Sequence, residues 1–428
     1  VEATAADNTI ARVVKLVEEA QESKAPTERF IDGFSRWYTP AVVLVATLVA
    51  VLPPLLGFGS WGAWVYKGLA ILLIGCPCAL VISTPAAIAA GLAAGARRGL
   101  LMKGGAVLEQ AGRLTAIAFD KTGTLTAGRP KVTDIVAPDG ADDHRAVLAA
   151  AASLEVGSSH PLALAILAEA AERGVAVRPA SDVAALPGKG VAGRLDGAAL
   201  FLGSVAAAGE AAGLDEALRG RIAGLARAGK SVSVLTRDGR VVGLVAMRDE
   251  PRPDAAQGLE ALQAAGIRTI MLTGDNQATA RAVAASLGIE VRAELLPADK
   301  QRIVRELQAE GHRVGKVGDG INDAPALAAA DLGIAMGGGT DVALETADAA
   351  VLHGRVTDVA DMIGLSRGVM ANIRQNITIA LGLKAVFLVT TVAGVTGLWP
   401  AILADTGATV LVTANAMRLL GWRGSAAG

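Results

Sequence analysis

The sequence predicts a molecule in two parts: an α-helical membrane domain of four spans, and a doubly wound α/β domain outside the bilayer carrying an inserted α+β lobe. Three observations predict it. First, the 428 residues are 52% hydrophobic with a mean hydropathy of +0.45, too apolar for an ordinary soluble enzyme. Second, short apolar runs at Thr115–Phe119, Thr269–Leu272 and Val314–Val317 each end at a polar Gly/Asp cluster, with Ala-rich helical stretches between them. Third, a stretch from about 136 to 245 has its own helix and strand signals and opens on the turn Pro138-Asp139-Gly140. The net charge of -1 offers no electrostatic case for a nucleic-acid partner. No fixed-period repeat is present.

Taken in order, residues 1–35 are polar and charged. Asp7-Asn8-Thr9 reads as a helix start, Ile10, Val13, Val14 and Val17 share one face, and Pro26 is expected to interrupt the helix. The opening Val1-Glu2-Ala3, without Met or signal peptide, reads as a fragment or a processed chain. Trp37 to Tyr66 and Gly68 to Ala96 carry no charge, and each exceeds the roughly 20 residues a span needs. The link Gly57–Trp64 is uncharged while Arg97, Arg98 and Lys103 follow the second run, which places both outer ends in the cytoplasm. Between Arg374 and Arg418 only Lys384 and Asp405 are charged, and Gly394–Pro400 divides that run into two more spans with the same orientation. The expected bounds are 1–35, 36–100, 101–135, 136–245, 246–360 and 361–428, the third and fifth forming one α/β domain.

Asp120-Lys121-Thr122-Gly123-Thr124-Leu125-Thr126 is the most informative stretch. It places a carboxylate at the carboxyl end of a buried strand, where open α/β sheets put their chemistry, and follows it with a turn able to approach a phosphate. An Asp there can attack the γ-phosphate of ATP and become an aspartyl-phosphate. Thr273-Gly274-Asp275-Asn276 can hold phosphoryl oxygens, and Lys300 can neutralise the transferring group. Gly318-Asp319-Gly320-Ile321-Asn322-Asp323 ends a further strand. Four such clusters in this order resemble the haloacid-dehalogenase-like phosphorylation domain of the P-type ATPases, a resemblance that covers nearly the whole chain. It implies ATP and Mg²⁺ as cofactors, with Asp319, Asp120 and the Thr122 carbonyl on Mg²⁺ and Asn322 and Asp323 holding them. In the insertion, Glu155, Ser159-His160-Pro161 and the glycine turn containing Gly188 and Gly190 resemble the nucleotide-binding domain of the heavy-metal subgroup. The subgroup's later Gly-Asn pair is Gly203-Ser204 here, a departure from the pattern. The resemblance makes residues 1–35 the end of an actuator domain whose Thr-Gly-Glu loop is absent, so this chain alone is expected to accept phosphate without completing a transport cycle.

Cys76-Pro77-Cys78 is the remaining motif, with the only two cysteines of the chain. Their spacing predicts no disulfide. Proline opens the helix, and two thiolates at roughly 12 Å depth suit a soft or borderline ion. Lys384, roughly 15 Å deep, and Asp405, roughly 8 Å deep, are charges of a kind that is costly in a bilayer unless paired or functional. Asp405 adds a hard oxygen suited to a divalent ion, and Lys384 a counter-ion for the site. Gly382-Leu383-Lys384 and Ala404–Thr409 are similar to the zinc/cadmium/lead-exporting subgroup; the Tyr-Asn and Met/Ser patterns of the copper subgroup are absent. The resemblance implies export of Zn²⁺, Cd²⁺ or Pb²⁺ through a multi-pass protein of a bacterial plasma membrane, catalytic domains cytoplasmic, with any metal-donor chaperone or thiol carrier unspecified. Cu⁺ export and a haloacid-dehalogenase-like phosphatase are the alternatives; Lys384 and Asp405 argue against the first, the spans and Lys121 against the second.

Overall fold

The structure, a computed structural model, describes residues 25–137, 143–158, 160–186, 188–275, 277–392 and 398–424. The helix read over residues 7–17, the turn Pro138-Asp139-Gly140, Ser159, Asn276 and residues 394–397 of the last break lie outside them. The first described helix, α1 (Pro26–Leu55), begins at Pro26, because proline at the first helical position lacks only an N–H that would have no partner. The Glu28 carboxylate accepts the Ala25 N–H at 2.9 Å and closes that end. The next pass is broken into α2 (Trp61–Gly75) and α3 (Cys78–Ala96). Both spans therefore start earlier than the charge-free runs suggested, and the turn between them lies at 56–60. Charge was the wrong delimiter: Lys67 lies inside α2 with its ammonium 4.3 Å from the centre of the Trp64 ring, where a cation near a helix end is tolerated.

The chain then enters the α/β lobe through β1 (Leu100–Met102), α4 (Gly105–Ala111) and β2 (Ala116–Asp120). A second sheet follows with β3 (Lys131–Val136), α5 (His144–Glu155), α6 (Pro161–Glu172), β4 (Ser181–Leu186), β5 (Gly190–Leu195), β6 (Ala198–Ser204), α7 (Val205–Ala212), α8 (Glu216–Arg227), β7 (Ser231–Arg237) and β8 (Arg240–Arg248). The return runs through α9 (Ala255–Ala264), β9 (Arg268–Leu272), α10 (Gln277–Leu287), β10 (Glu290–Arg292), α11 (Pro297–Ala309) and β11 (Val314–Gly318). It ends with α12 (Ala324–Ala329), β12 (Leu332–Met336), α13 (Asp341–Thr346) and β13 (Ala349–Val351). The first sheet has the order β1-β13-β12-β11-β2-β9-β10 and is parallel except where β1 meets β13. β2 lies inside it, covered on both faces, as a continuous apolar run in a parallel sheet requires. Ile117 and Phe119 pack into one core with Met271 and Val317, and Ala118 packs into the other with Ile270, Val304 and Val314. The second sheet is antiparallel in the order β3-β8-β7-β6-β5-β4, with α5 and α6 on one face and α7 and α8 on the other.

From β13 the chain enters α14 (Val356–Val392), 37 residues long, and then α15 (Leu398–Met417). The near end of α14 is tied to the α/β lobe: Thr357 donates N–H and hydroxyl to Asp254 at 3.0 and 3.2 Å, and Arg367 donates to the Ala265 carbonyl at 2.9 Å. Among the described residues, three segments are long and apolar enough to cross a membrane: Pro26–Leu55, Trp61–Ala96 and Val356–Thr390. The fourth expected span corresponds to α15, which packs against α3 and α14 but is not one of the three. Trp37, Leu44, Leu55, Val389 and Leu403 point outward from these helices, as lipid-facing side chains do.

Candidate functional site

Because β9 and β11 flank β2, three strand ends converge at one edge of the first sheet. Asp120 is level with Leu272, the residue before Thr273, and Phe119 is level with Val317, two residues before Asp319. This is the carboxyl end of the sheet at the point where the strand order turns from one side of β2 to the other. Carboxylate oxygens of Asp120, Asp319 and Asp323 lie within 4.8 Å of one another. The turn after Asp120 is closed by the Thr126 N–H and hydroxyl, which both donate to the Lys121 carbonyl at 3.0 and 2.9 Å. Gly123 has φ +71°, and a Cβ there would lie 1.5 Å from Asp319 Oδ2. Only glycine lets this turn press against the acidic cluster. Among the described residues the buried Thr124 hydroxyl has no hydrogen-bond partner, and Thr122 is exposed on the turn.

Lysines balance the carboxylates. Lys300, on α11, contacts Asp120 and reaches Asp323 Oδ1 at 3.0 Å, and Lys121 pairs with Asp275 rather than with the cluster. Burial pushes the Asp120 carboxyl above the ordinary range, against the pull of Lys316 and Lys300. Asp319 is pushed up to about 6 by loss of water and then by the charges of Asp120 and Asp323. Burial also opposes ionisation of Asp323, but Lys316 and Lys300 outweigh it and hold that carboxyl low. Lys300 is held above its ordinary range because Asp120 and Asp323 outweigh its own burial. Thr273 is buried and its hydroxyl accepts the Asp275 N–H at 3.1 Å; Gly274 is exposed beside it, as is Asn322.

Three residues of this centre escaped the sequence reading. Lys316 is fully buried in β11 with its ammonium 3.1 Å from Asp323 Oδ1. Arg252 donates to the Thr124 and Gly123 carbonyls at 2.9 and 2.7 Å, and Asp249 accepts the Thr126 hydroxyl at 2.5 Å. A lysine inside an otherwise apolar strand was the available signal for the first. The other two lie where the chain returns from the insertion, and nothing local marks them.

In the second sheet, Glu155 ends α5 half-buried, and loss of water pushes its carboxyl up despite Ser158 and His160 nearby. His160 is exposed and caps α6, accepting the Leu162 N–H on Nδ1 at 3.3 Å, with Pro161 as the first helical residue. Gly188 has φ +72°, and Gly190 pairs with Gly203 so closely that a Cβ on Gly190 would lie 2.2 Å from the Leu202 carbonyl oxygen. Ser204, the departure noted in the sequence, caps α7 by accepting the Ala207 N–H at 3.3 Å.

Cys76-Pro77-Cys78 forms the break between α2 and α3, in the middle of the pass from Trp61 to Ala96 and deeper than the charge-free run implied. The structure joins Cys76 to Cys78 in a disulfide with a Cα–Cα distance of 5.4 Å, contrary to expectation. In a continuous helix, residues two apart diverge; here Cys76 is extended (φ -60°, ψ 125°), which turns both side chains the same way. Lys384, on α14, donates to the Ile74 carbonyl at 3.0 Å, to the Cys76 carbonyl, and to Asp405 Oδ1 on α15 at 2.6 Å. These carbonyls are free because the break removes their intrahelical partners. A cleft of about 440 Å³ between α1, α2 and α14, lined by Tyr38, Val42, Gly75 and Leu388 among others, reaches Lys384.

Comparison with known proteins covers nearly the whole chain. Residues 114–331 match the haloacid dehalogenase-like hydrolase family. The chain is 55% identical over 413 residues to the zinc/cadmium/lead-transporting P-type ATPase of Escherichia coli (strain K12), covering 96% of this chain and 56% of that protein. It is 42% identical over 421 residues to a probable cadmium-transporting ATPase of Staphylococcus aureus (strain MRSA252), covering 97% of this chain and 58% of that one. The crystal structure of a zinc-transporting PIB-type ATPase in the E2.Pi state superposes with a TM-score of 0.80 at 53% identity, covering 98% of this chain and 68% of that one. The chain thus spans just over half the length of the curated relatives it matches. With the aspartyl centre, the broken helix and these likenesses together, the chain belongs to the heavy-metal-transporting P-type ATPases.

Proposed function

We propose that the protein exports Zn²⁺, and also Cd²⁺ and Pb²⁺, across a bacterial plasma membrane, driven by ATP through an aspartyl-phosphate on Asp120, with its catalytic lobes in the cytoplasm. The observation that carries the reading is Lys384, which joins the Asp405 carboxylate to the backbone carbonyls at the Cys76-Pro77-Cys78 break, inside the apolar pass. Glu155, His160, Pro161, Gly188 and Gly190 are assigned to the nucleotide. An Asp120 carboxylate oxygen attacks the γ-phosphorus, the bond to the bridging oxygen of the β-phosphate breaks, and ADP leaves. Lys300 neutralises the transferring group, and Thr273 and the Gly274 backbone receive its oxygens. Lys121 and Asp275 hold each other beside the nucleophile. The all-oxygen set of Asp120 and Asp319 fits Mg²⁺, which takes a few oxygen ligands and keeps water. Bound there with the Thr122 carbonyl, the ion would offset charge on the phosphoryl oxygens; Asn322 and Asp323 support the ligands.

At the intramembrane site, the reduced Cys76 and Cys78 and the Asp405 carboxylate are the ligands, and Lys384 is the counter-ion exchanged against the metal. The test is ATP hydrolysis by the full-length protein in membranes with Zn²⁺, Cd²⁺, Pb²⁺ and Cu⁺ side by side, under reducing conditions. Stimulation by the divalent ions that disappears in Cys76→Ala and Asp405→Ala is the expected result. Stimulation by Cu⁺ alone would overturn the assignment and leave selectivity to the thiolates.

A further inference from the structure

A lysine with no exposed surface is costly unless its charge is answered, and Lys316 is 0% exposed in the middle of β11. Its ammonium donates to the Val317 carbonyl at 2.9 Å and lies 3.1 Å from Asp323 Oδ1. Lys300 reaches that same oxygen at 3.0 Å while also holding Asp120. Three clustered carboxylates, Asp120, Asp319 and Asp323, therefore share the site with two ammonium groups, which leaves one net negative charge. The two lysines differ in kind. Lys300 projects from a helix directly onto Asp120 and can follow a phosphoryl group, whereas Lys316 is enclosed between β2 and β12 and stays behind Asp323.

We propose that Lys316 is a positioning residue, a fixed counter-charge that pins Asp323 and weakens Mg²⁺ binding at Asp120 and Asp319, so that the ion exchanges readily between turnovers. This rests on the reading of that centre as a magnesium site. Asp323 Oδ1 is occupied by two ammonium groups, which makes Asp323 an anchor for lysines rather than a ligand. Removing the Lys316 charge leaves two net negative charges around a divalent ion, one carboxylate removed from the change. At the effective dielectric of a protein interior, that difference is at least about tenfold in affinity.

The experiment is a Mg²⁺ titration of thermal unfolding, without ATP, on the full-length protein in detergent, comparing the unaltered protein with Lys316→Met and Lys316→Gln. Met matches the length of the side chain without its charge. Gln keeps a donor for the Val317 carbonyl and carries the test if Met disrupts the strand. The half-protecting Mg²⁺ concentration is expected to fall at least about tenfold in either variant. The Mg²⁺ dependence of phosphoenzyme formation is expected to move by the same factor. A half-point that stays in place in a folded variant overturns the role given to Lys316. Asp319→Asn separates the two readings: protection should vanish there, and if it persists the ion binds elsewhere, so the magnesium assignment is what fails.

Discussion

Asp319 links burial to a measurable pH response. Its carboxyl is pushed from 3.8 up to about 6, first by loss of water and then by the neighbouring Asp120 and Asp323. A carboxyl that holds its proton more tightly when folded favours the folded state while protonated. Its share of stability is therefore present below pH 3.8 and is lost as pH rises through about 6. Without Mg²⁺, the thermal midpoint of the protein should fall across this window by more than in Asp319→Asn, where the slope from this group is gone. Equal slopes in the two proteins would mean that the Asp319 carboxyl stays in contact with water.

At the scale of single elements, the turn after β2 decides the geometry. Its residues are recognisable as a motif, but the reason for Gly123 is visible only in three dimensions: the missing Cβ is where Asp319 Oδ2 sits. Gly123→Ala must push the turn away from the acidic cluster by an ångström or more, and misplacement of that size lowers a rate by on the order of 100-fold. Phosphoenzyme formation from labelled ATP would show it, with the six-stranded sheet, β3 to β8, left folded. A loss of less than about threefold would contradict the close approach. The turn is also held from outside by Arg252 and Asp249, on the segment returning from the second sheet. That return brings a distant part of the chain to the turn after Asp120, which a window of sequence around that residue does not contain.

For the whole molecule, α14 joins the α/β lobe to the broken helix. Its first turns are bonded to the phosphate lobe through Thr357 and Arg367, and Lys384 stands about 17 residues, roughly 25 Å, beyond Arg367 at the broken helix. A stiff helix with discrete contacts at both ends is a physical route for coupling. Arg367→Ala removes bonds to the Gly112 and Ala265 carbonyls and touches neither centre. The ratio of zinc-stimulated to basal hydrolysis should fall at least about fivefold, at the low end of measured coupling energies, with basal hydrolysis retained. An unchanged ratio would place the coupling in other contacts.

Much of this was legible in one dimension. The apolar run before Asp120 is a buried strand because side-chain burial and backbone pairing are written locally, and the Gly/Asp clusters mark where strands end. Lys384 and Asp405 stand out because charge in an apolar run is rare for a solvation reason that needs no coordinates. The spans were placed imperfectly, since a lysine near a helix end can lie on an aromatic ring and a proline can begin a helix as well as break one. Tertiary structure alone decided which charges meet. Lys316 with Asp323, Lys300 with Asp120, and Lys384 with the Cys76 carbonyl and Asp405 are pairings across separate elements. It also decided that Cys76 and Cys78 face the same way. Sequence determines the local backbone and the residue types at each strand end or helix break; the electrostatics of the two centres follow from convergence, which only the packing of distant segments specifies.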